Sequence, residues 1–210
     1  MTSDITLYHS PNTRSSGVRI LLDELQVPYR LHVLNMRAGE HREAAYLAIN
    51  PLGKVPAIRH GNAVITEQAA IYLYLADEFA EKGLAPPIGD PLRGPYLRWM
   101  ILYGSCFEPA VIDRALEREP GPMAMSPYGS FDAVLDSIVA GLSKGPYLLG
   151  EQFSAADILW GTALGWMTAF KLVPEEPLIV AYVARIKDRP SFRKITAEES
   201  ALAAQQQEAG

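Results

Sequence analysis

Residues 50–58 read Asn-Pro-Leu-Gly-Lys-Val-Pro-Ala-Ile, and they decide how the first half of the chain folds. The first proline and the glycine of this stretch end a short helix predicted at 44–49, because neither residue continues a helix cheaply. Its last four residues, 55–58, form a strand, and 63–65 form a second strand after the His-Gly-Asn turn at 60–62. The stretch therefore predicts an antiparallel hairpin that begins at a proline.

The residues before this hairpin predict a strand, a helix and a second strand. A short β-prone run at 5–8 is followed by a loop around Pro11, and apolar side chains then recur at helical spacing from 18 to 25. Alternation at 29–34 predicts the second strand. We expect these two strands to be parallel, because one helix joins them in a right-handed crossover.

The sequence after the hairpin predicts a change of fold class. Residues 68–79 are apolar on nearly every side, and a helix of this kind requires burial on two faces, against the sheet and against a second domain or subunit. Four prolines and three glycines between 83 and 95 indicate an extended connection. Beyond it helical periodicity continues without strands, at 96–110, 131–144, 155–170 and 178–189.

We therefore predict two domains of different class. Residues 1–82 form an α/β domain of order β-α-β-α-β-β-α, 83–95 form the linker, and 96–210 form an all-α helical bundle. Within the bundle, Ser154-Ala-Ala-Asp157 has the pattern of a helix cap whose acidic residue reaches back to the cap amide. Residues 201–210 are small and polar, and we predict that they fray.

The composition excludes several classes of function. The 210-residue chain has a net charge of -5, which argues against a nucleic-acid partner because phosphate binding requires clustered Lys and Arg. It has no secretion-signal pattern and no apolar run near the roughly 20 residues that cross a bilayer, so we predict a cytoplasmic protein without a membrane partner. Its one cysteine, Cys106, excludes a disulfide within the chain, and its four histidines lack metal-ligand spacing, so we predict no metal.

The order of elements, the proline-rich linker and several local motifs resemble the glutathione S-transferase superfamily. Residues 50–58 and the following Thr-Glu-Gln-Ala-Ala-Ile at 66–71 are similar to the central signature of the family. Phe153–Ile158 and Arg189–Phe192 are similar to its helical-domain signatures. The resemblance implies a thioredoxin-like glutathione-binding domain followed by the helical bundle, in a homodimer. Features of the beta, phi and zeta classes are mixed, so no class is assigned.

The resemblance also implies a site for glutathione, which carries two carboxylates, one ammonium and one thiol. A cis Val55–Pro56 bond would present the backbone of Val55 to the cysteinyl part. Glu67 and Gln68 stand where a helix begins and would bind the γ-glutamyl end, because free amides at a helix N-terminus attract a carboxylate. Lys54 and His41 would bind the glycyl carboxylate. Capping of the helix by Thr66 or Glu67 is a compatible alternative.

Activation of the thiol requires a lowered pKa. Free cysteine has a pKa near 8.5, and lowering it by two units means favouring the thiolate by roughly 2.7 kcal/mol. The loop at 10–16 offers Ser15 as our preferred hydroxyl donor, with Thr13 and Asn12 as further candidates and Arg14 as a nearby cation. Simple capping of the helix by Ser15 or Ser16 is the competing interpretation.

The resemblance implies a second substrate in a groove lined by Tyr103, Cys106 and Phe107. The predicted function is conjugation of the glutathione thiolate, with glutathione as co-substrate and no metal, to a hydrophobic electrophile. Two alternatives stay open: a glutathione-dependent disulfide reductase or peroxidase, suggested by Asn12 and Thr13 in place of an unambiguous catalytic serine, and a binding protein that kept the fold without catalysis. The sequence does not choose among detoxification, catabolism and redox repair as the physiological role.

Overall fold

The computed structural model describes residues 4–119 and 121–208, which form two compact units. The first unit contains the chain up to Phe79 together with the chain from Asp188 onward, and the second is Ala80–Lys187. We predicted 1–82 and 96–210 as the two domains. The structure instead assigns the C-terminal segment to the first unit, and it begins the second unit at Ala80.

A four-stranded sheet forms the centre of the first unit. Its strands are β1 (Ile5–His9), β2 (Arg30–Val33), β3 (Ala57–His60) and β4 (Ala63–Thr66), in the spatial order β2-β1-β3-β4. β1 pairs in parallel with β2 and in antiparallel with β3, and β3 pairs in antiparallel with β4. The parallel pair and the hairpin predicted from the sequence are both confirmed.

The helices of the first half pack their apolar faces inward. They are α1 (Ser15–Leu25), α2 (Ala44–Leu47) and α3 (Gln68–Glu78). α1 begins before the apolar spacing that predicted it, and the residues that set this spacing are buried: Val18, Leu21, Leu22 and Leu25. α3 buries one face, formed by Ile71, Tyr72, Leu75 and Ala76. Each helix is therefore stabilised mainly by burial, since the hydrophobic effect is the dominant favourable term in folding.

The C-terminal helix α9 (Pro190–Glu208) belongs to the first unit, and no helix was predicted over this range. We expected 201–210 to fray, but the helix continues to Glu208; residues 209 and 210 lie outside the described part. The Arg189 guanidinium donates to both carboxylate oxygens of Glu24 on α1, each at 2.7 Å. This ion pair joins α1 to the residue just before α9, at a sequence separation that no local pattern indicates.

The second unit is a helical bundle around one tryptophan. Its helices are α4 (Arg93–Leu102), α5 (Glu108–Ala115), α6 (Phe131–Leu142), α7 (Ala155–Ala169) and α8 (Pro177–Lys187), with a π-helical turn at Tyr103–Phe107 joining α4 to α5. Trp160 is fully buried, and its indole N–H donates to the carbonyl of Trp99 at 2.9 Å. The predicted capping box of Ser154 and Asp157 is confirmed at the start of α7.

Candidate functional site

The loop between β1 and α1 carries the residues predicted to activate the thiol, and its own hydrogen bonds hold it. The Thr13 hydroxyl donates to the Ser10 carbonyl at 2.7 Å, and it lies 2.6 Å from the Ser15 hydroxyl. Asn12 is exposed in a left-handed conformation with φ 56°, and its N–H donates to Oε2 of Glu199 at 3.1 Å. Asn12 is exposed and Thr13 half-buried, so both residues have surface that a ligand can reach.

Ser15 lacks the access that a thiol donor requires. Ser15 is 0% exposed. Its Oγ lies 2.8 Å from Nδ1 of His9 and 3.2 Å from both the backbone N and the backbone O of Ser10. A hydroxyl enclosed in this way does not touch a bound thiol. Our preference for Ser15 as the direct donor is therefore corrected, and Thr13 and Asn12 remain as the candidates. The capping alternative is not observed either, because the N-cap residue of α1 makes no side-chain hydrogen bond.

A buried ionic cluster that no sequence pattern predicted lies behind this loop. Nε2 of His9 is 3.1 Å from Oε1 of Glu199, although the ring N–H lacks the alignment of a hydrogen bond. The same carboxylate accepts from Oγ of Ser16 and from Nη1 of Arg19, each at 2.5 Å. Burial by itself would raise the pKa of Glu199, but the contacts with His9, Ser16 and Arg19 outweigh it and lower this pKa to about 2. Glu199 is therefore a carboxylate at neutral pH.

A small cavity of about 200 Å³ adjoins Thr13. Its lining residues come from the β1–α1 loop, the segment after β2 and the end of α9: Ser10, Pro11, Asn12, Thr13, Met36, Arg37, Ala203, Gln206 and Gln207. Gln206 also donates to the carbonyl of Leu34 at 3.2 Å, which ties α9 to the segment after β2. The α9 residues of this cavity were not predicted, because 201–210 were expected to fray.

The peptide bond between Val55 and Pro56 is cis, as the resemblance implied. The preceding carbonyl, that of Lys54, accepts from the Tyr46 hydroxyl at 2.6 Å and from Nδ2 of Asn50 at 2.8 Å. Burial raises the pKa of Tyr46 to about 12, so this hydroxyl keeps its proton and remains a donor. Within the described part of the chain, the N–H and carbonyl of Val55 have no hydrogen-bond partner. The hydrogen-bonding capacity of this backbone pair is therefore not used within the described residues.

The N-terminus of α3 provides the second element of the predicted glutathione site. Glu67 is exposed with φ 66° and makes no side-chain capping bond, so the predicted capping role of its carboxylate is not observed. Gln68 is buried, and its side-chain amide donates to the carbonyl of Arg14 at 3.0 Å, which joins α3 to the β1–α1 loop. The amides of the first helical turn have no partner within the helix and favour an anion.

The two residues predicted to bind the glycyl carboxylate lie on adjoining turns. Lys54 is exposed, and His41 is half-buried in a 3₁₀ turn at Glu40–Arg42. Gly53 joins the two turns: with φ 60° it adopts a conformation that favours glycine, and a Cβ there would lie 2.8 Å from the His41 carbonyl. The backbone of Gly53, the residue before Lys54, therefore lies close to the backbone of His41.

The residues predicted to line an electrophile groove lie in the π-helical turn of the second unit. Tyr103 and Phe107 are only 3% and 1% exposed, and their rings pack against Trp160 with centroids 5.8 and 5.0 Å away. These two side chains are core residues in the described structure, because aromatic rings at this spacing stabilise a packed interior. Cys106 is half-buried, and its thiol lies 3.5 Å from the carbonyl of Pro127. Their role toward an electrophile stays a prediction.

The described residues contain neither a cluster suited to a metal ion nor a helix suited to crossing a membrane. Across 4–119 and 121–208, no three His, Cys, Asp or Glu side chains are grouped so that they could hold a metal ion. Over the same ranges, no helix combines the length and the apolar character that crossing a bilayer demands.

Comparison with known proteins gives matches over both units. Residues 12–78 match the family model of the glutathione S-transferase N-terminal domain, and residues 109–189 match that of the C-terminal domain. A glutathione S-transferase from Hyoscyamus muticus is 27% identical over 201 residues, which cover 89% of this chain and 95% of that protein.

Solved structures with the same fold extend the comparison. A glutathione transferase from Methylococcus capsulatus is similar with a TM-score of 0.78 and 29% identity, covering 94% of this chain and 99% of that one. A glutathione transferase homologue from Sulfitobacter, determined with bound glutathione, has a TM-score of 0.74 and 26% identity, with coverage of 94% and 99%. The similarity thus extends over nearly the whole length of each chain.

Proposed function

Because this chain belongs to the glutathione S-transferase superfamily, we propose that it is an enzyme that conjugates the thiolate of glutathione to a hydrophobic electrophile. The observation that carries the proposal is the open backbone pair of Val55, beside the cis bond to Pro56. An extended peptide pairs with such a group as it would with a strand edge. In this proposal the cysteinyl unit of glutathione is that peptide.

We propose that both ends of glutathione bind to groups flanking this backbone pair. The amides at the start of α3, at Gln68, take the γ-glutamyl carboxylate, and Glu67 faces the ammonium group. The exposed ammonium of Lys54 takes the glycyl carboxylate, and His41 on the adjoining turn assists it. Charge-assisted hydrogen bonds of this kind are about twice as strong as neutral ones.

Thr13 is the proposed donor to the thiol sulfur. It is half-buried, it lines the 200 Å³ cavity, and its hydroxyl is part of the hydrogen-bonded loop at the start of α1. Asn12 is the alternative donor in the same loop, and the exposed Arg14 adds positive charge nearby. A hydroxyl that donates to the sulfur stabilises the thiolate more than the thiol, which lowers the pKa of the thiol.

The cavity beside Thr13 is our proposed position for the reacting carbon of the electrophile. Met36 supplies an apolar wall, and Arg37 and Gln206 supply polar groups that would orient a leaving group or a carbonyl. This proposal adds to the earlier assignment of Tyr103, Cys106 and Phe107. A panel of aryl halides, epoxides and isothiocyanates would identify the class of electrophile.

Calorimetric titration with glutathione, combined with turnover of this panel, tests the proposed function. We expect Lys54→Ala to weaken glutathione binding about tenfold, because one charge-assisted hydrogen bond contributes about 1.5 kcal/mol. Lys144→Ala removes an exposed lysine of the second unit and serves as the matched control, with unchanged affinity. Absence of both binding and turnover in the unmodified protein would refute the proposal.

The disulfide reductase and peroxidase alternative has its own discriminating assay. It draws on Asn12 and Thr13 in the loop, since neither is the serine expected of a conjugating enzyme. A hydroperoxide or a small disulfide, supplied with glutathione and a coupled reductase, would be turned over faster than any electrophile of the panel if the alternative holds. Glutathione binding without turnover in either assay would favour the binding-protein alternative.

We propose that the protein is a homodimer in the cytoplasm, with a role in detoxification. Leu97 and Ile101 lie one turn apart on α4 and are 36% and 57% exposed, which is typical of an apolar surface used in association. We expect sedimentation to give a dimer at micromolar concentration and Ile101→Lys to shift it toward monomer. Ile88→Lys, at an apolar residue that is 94% exposed, is the control. A monomeric unmodified protein would contradict this proposal.

A further inference from the structure

The hydroxyl of Thr13 is one end of a continuous chain of polar contacts that runs into the buried interior of the first unit. Thr13 Oγ1 is 2.6 Å from Ser15 Oγ, and Ser15 Oγ is 2.8 Å from Nδ1 of His9. Nε2 of His9 is 3.1 Å from Oε1 of Glu199. The four side chains come from the loop, α1, β1 and α9, and the two in the middle, Ser15 and His9, are 0% exposed.

The charge of Glu199 determines which nitrogen of His9 carries the proton. Glu199 is ionised at neutral pH and accepts from Ser16 and Arg19, so it has no proton to donate to the ring. The N–H of a neutral His9 ring is therefore favoured at Nε2, beside the carboxylate. This tautomer leaves the lone pair of Nδ1 facing the Ser15 hydroxyl, so His9 accepts a hydrogen bond from Ser15.

We propose that Thr13, Ser15 and His9 form a proton relay that receives the proton of the glutathione thiol, with Glu199 stabilising the imidazolium. The thiol S–H proton passes to Oγ1 of Thr13. The Thr13 proton, which is donated to the Ser10 carbonyl in this structure, turns to Oγ of Ser15 and passes to it, and the Ser15 proton passes to Nδ1 of His9. The products are a thiolate and an imidazolium, so charge and protons balance. After the transfer every hydroxyl along the chain donates toward the sulfur.

A hydroxyl, an imidazole and a carboxylate in this order also occur in serine hydrolases, where the imidazole removes the hydroxyl proton. The burial of Ser15 excludes that use here, because an enclosed Oγ has no path to an external carbonyl carbon. Thr13 is the member with surface at a cavity. His9 and Ser15 therefore act through Thr13 as positioning and relay residues, and they do not contact the substrate.

Several other titratable or charged groups lie near His9. Glu199 and Glu198 face the cluster from α9, Arg19 faces it from α1, and the Tyr29 hydroxyl lies 3.3 Å from Nε of Arg19. From β2, the His32 ring packs against Tyr8, the residue next to His9, whose side chain points to the other face of the sheet. Of these groups Glu199 contacts the imidazole itself, and Arg19 and Glu198 belong to the same cluster through their own ion pairs.

Two adjacent serines of α1 provide a matched test. Ser15→Ala interrupts the relay, whereas Ser16→Ala removes a buried hydroxyl that also belongs to the cluster but lies outside the relay. The ultraviolet absorbance of the thiolate, titrated with pH, gives the pKa of bound glutathione for each variant. We expect Ser15→Ala to raise this pKa by about one unit. At pH values below the thiol pKa, kcat/KM should fall about tenfold, and it should recover above pH 9, where solvent removes the proton.

His9→Gln keeps a polar side chain but removes the proton acceptor, and we expect the same shift of thiol pKa as in Ser15→Ala. The double variant should show no further shift, because both changes interrupt one path. An unchanged thiol pKa in Ser15→Ala, or an equal shift in Ser16→Ala, would overturn the relay. The inference rests on the proposed function. An unmodified protein that neither binds nor turns over glutathione refutes both. Normal binding and turnover in the unmodified protein, together with an unchanged thiol pKa in Ser15→Ala, refute the relay alone.

Discussion

Thr13→Val is expected to lower kcat/KM for conjugation by about 100-fold. The change replaces the hydroxyl with a methyl group of similar size, so the loop keeps its volume but loses the donor to the sulfur. Removing one preorganised donor from a developing anion costs roughly 100-fold to 1,000-fold in rate. We expect the pKa of bound glutathione to return toward 8.5, the value of a free thiol. Steady-state kinetics at pH 6.5 and ultraviolet titration measure both quantities.

Thr13→Ser is the matched control, since it keeps the hydroxyl and removes only a methyl group. It should retain most of the activity, and both variants should bind glutathione within about threefold of the unmodified affinity, because the ends of the tripeptide hold it in place. If Thr13→Val keeps full activity while Asn12→Ala loses it, Asn12 is the donor and the assignment of Thr13 is wrong.

Glu199→Gln is expected to lower the free energy of unfolding at pH 7 by about 2 kcal/mol. The shift of the Glu199 pKa from 4.5 to about 2 means that the folded state favours the carboxylate. About 1.4 kcal/mol per pKa unit would give about 3 kcal/mol, and the hydrogen bonds that a neutral glutamine can still accept reduce this. Glutamine keeps the shape but lacks the charge that pairs with Arg19 and His9. Urea denaturation at several pH values measures the difference.

The pH dependence of this effect has a defined sign. A carboxyl group whose pKa is lower in the folded protein stabilises the fold above its unfolded pKa, and this contribution is lost as the pH falls through the folded value. The difference between the unmodified protein and Glu199→Gln should therefore shrink between pH 5 and about pH 2. Glu198→Gln is the control: Glu198 contacts the same arginine, but its side chain is 43% exposed, so a change below about 1 kcal/mol is expected. Equal losses in the two variants would contradict the assignment.

The glutathione site was predictable where its residues are adjacent in the sequence. The cis bond at Val55–Pro56 and the helix that begins at Gln68 belong to short motifs, and the structure contains both features. The catalytic loop was harder to predict. Thr13 and Ser15 are both hydroxyl residues near the start of a helix, and only the contacts of Ser15 with His9 and the backbone of Ser10 distinguish the buried one from the accessible one.

The order of strands and helices, the hairpin after Pro56, the capping box at Ser154 and the family resemblance all follow from the sequence by itself. Each depends on residues a few positions apart, whose spacing determines local conformation. The position of α9, the burial of Ser15 and the cluster at Glu199 were decided only by the tertiary structure. Glu199 lies 180 residues from Arg19 and 183 from Ser16. Residues this far apart in the sequence pair only because the tertiary fold buries their charges at the same place. The free energy of that burial does not depend on the local sequence, so no local pattern predicts it.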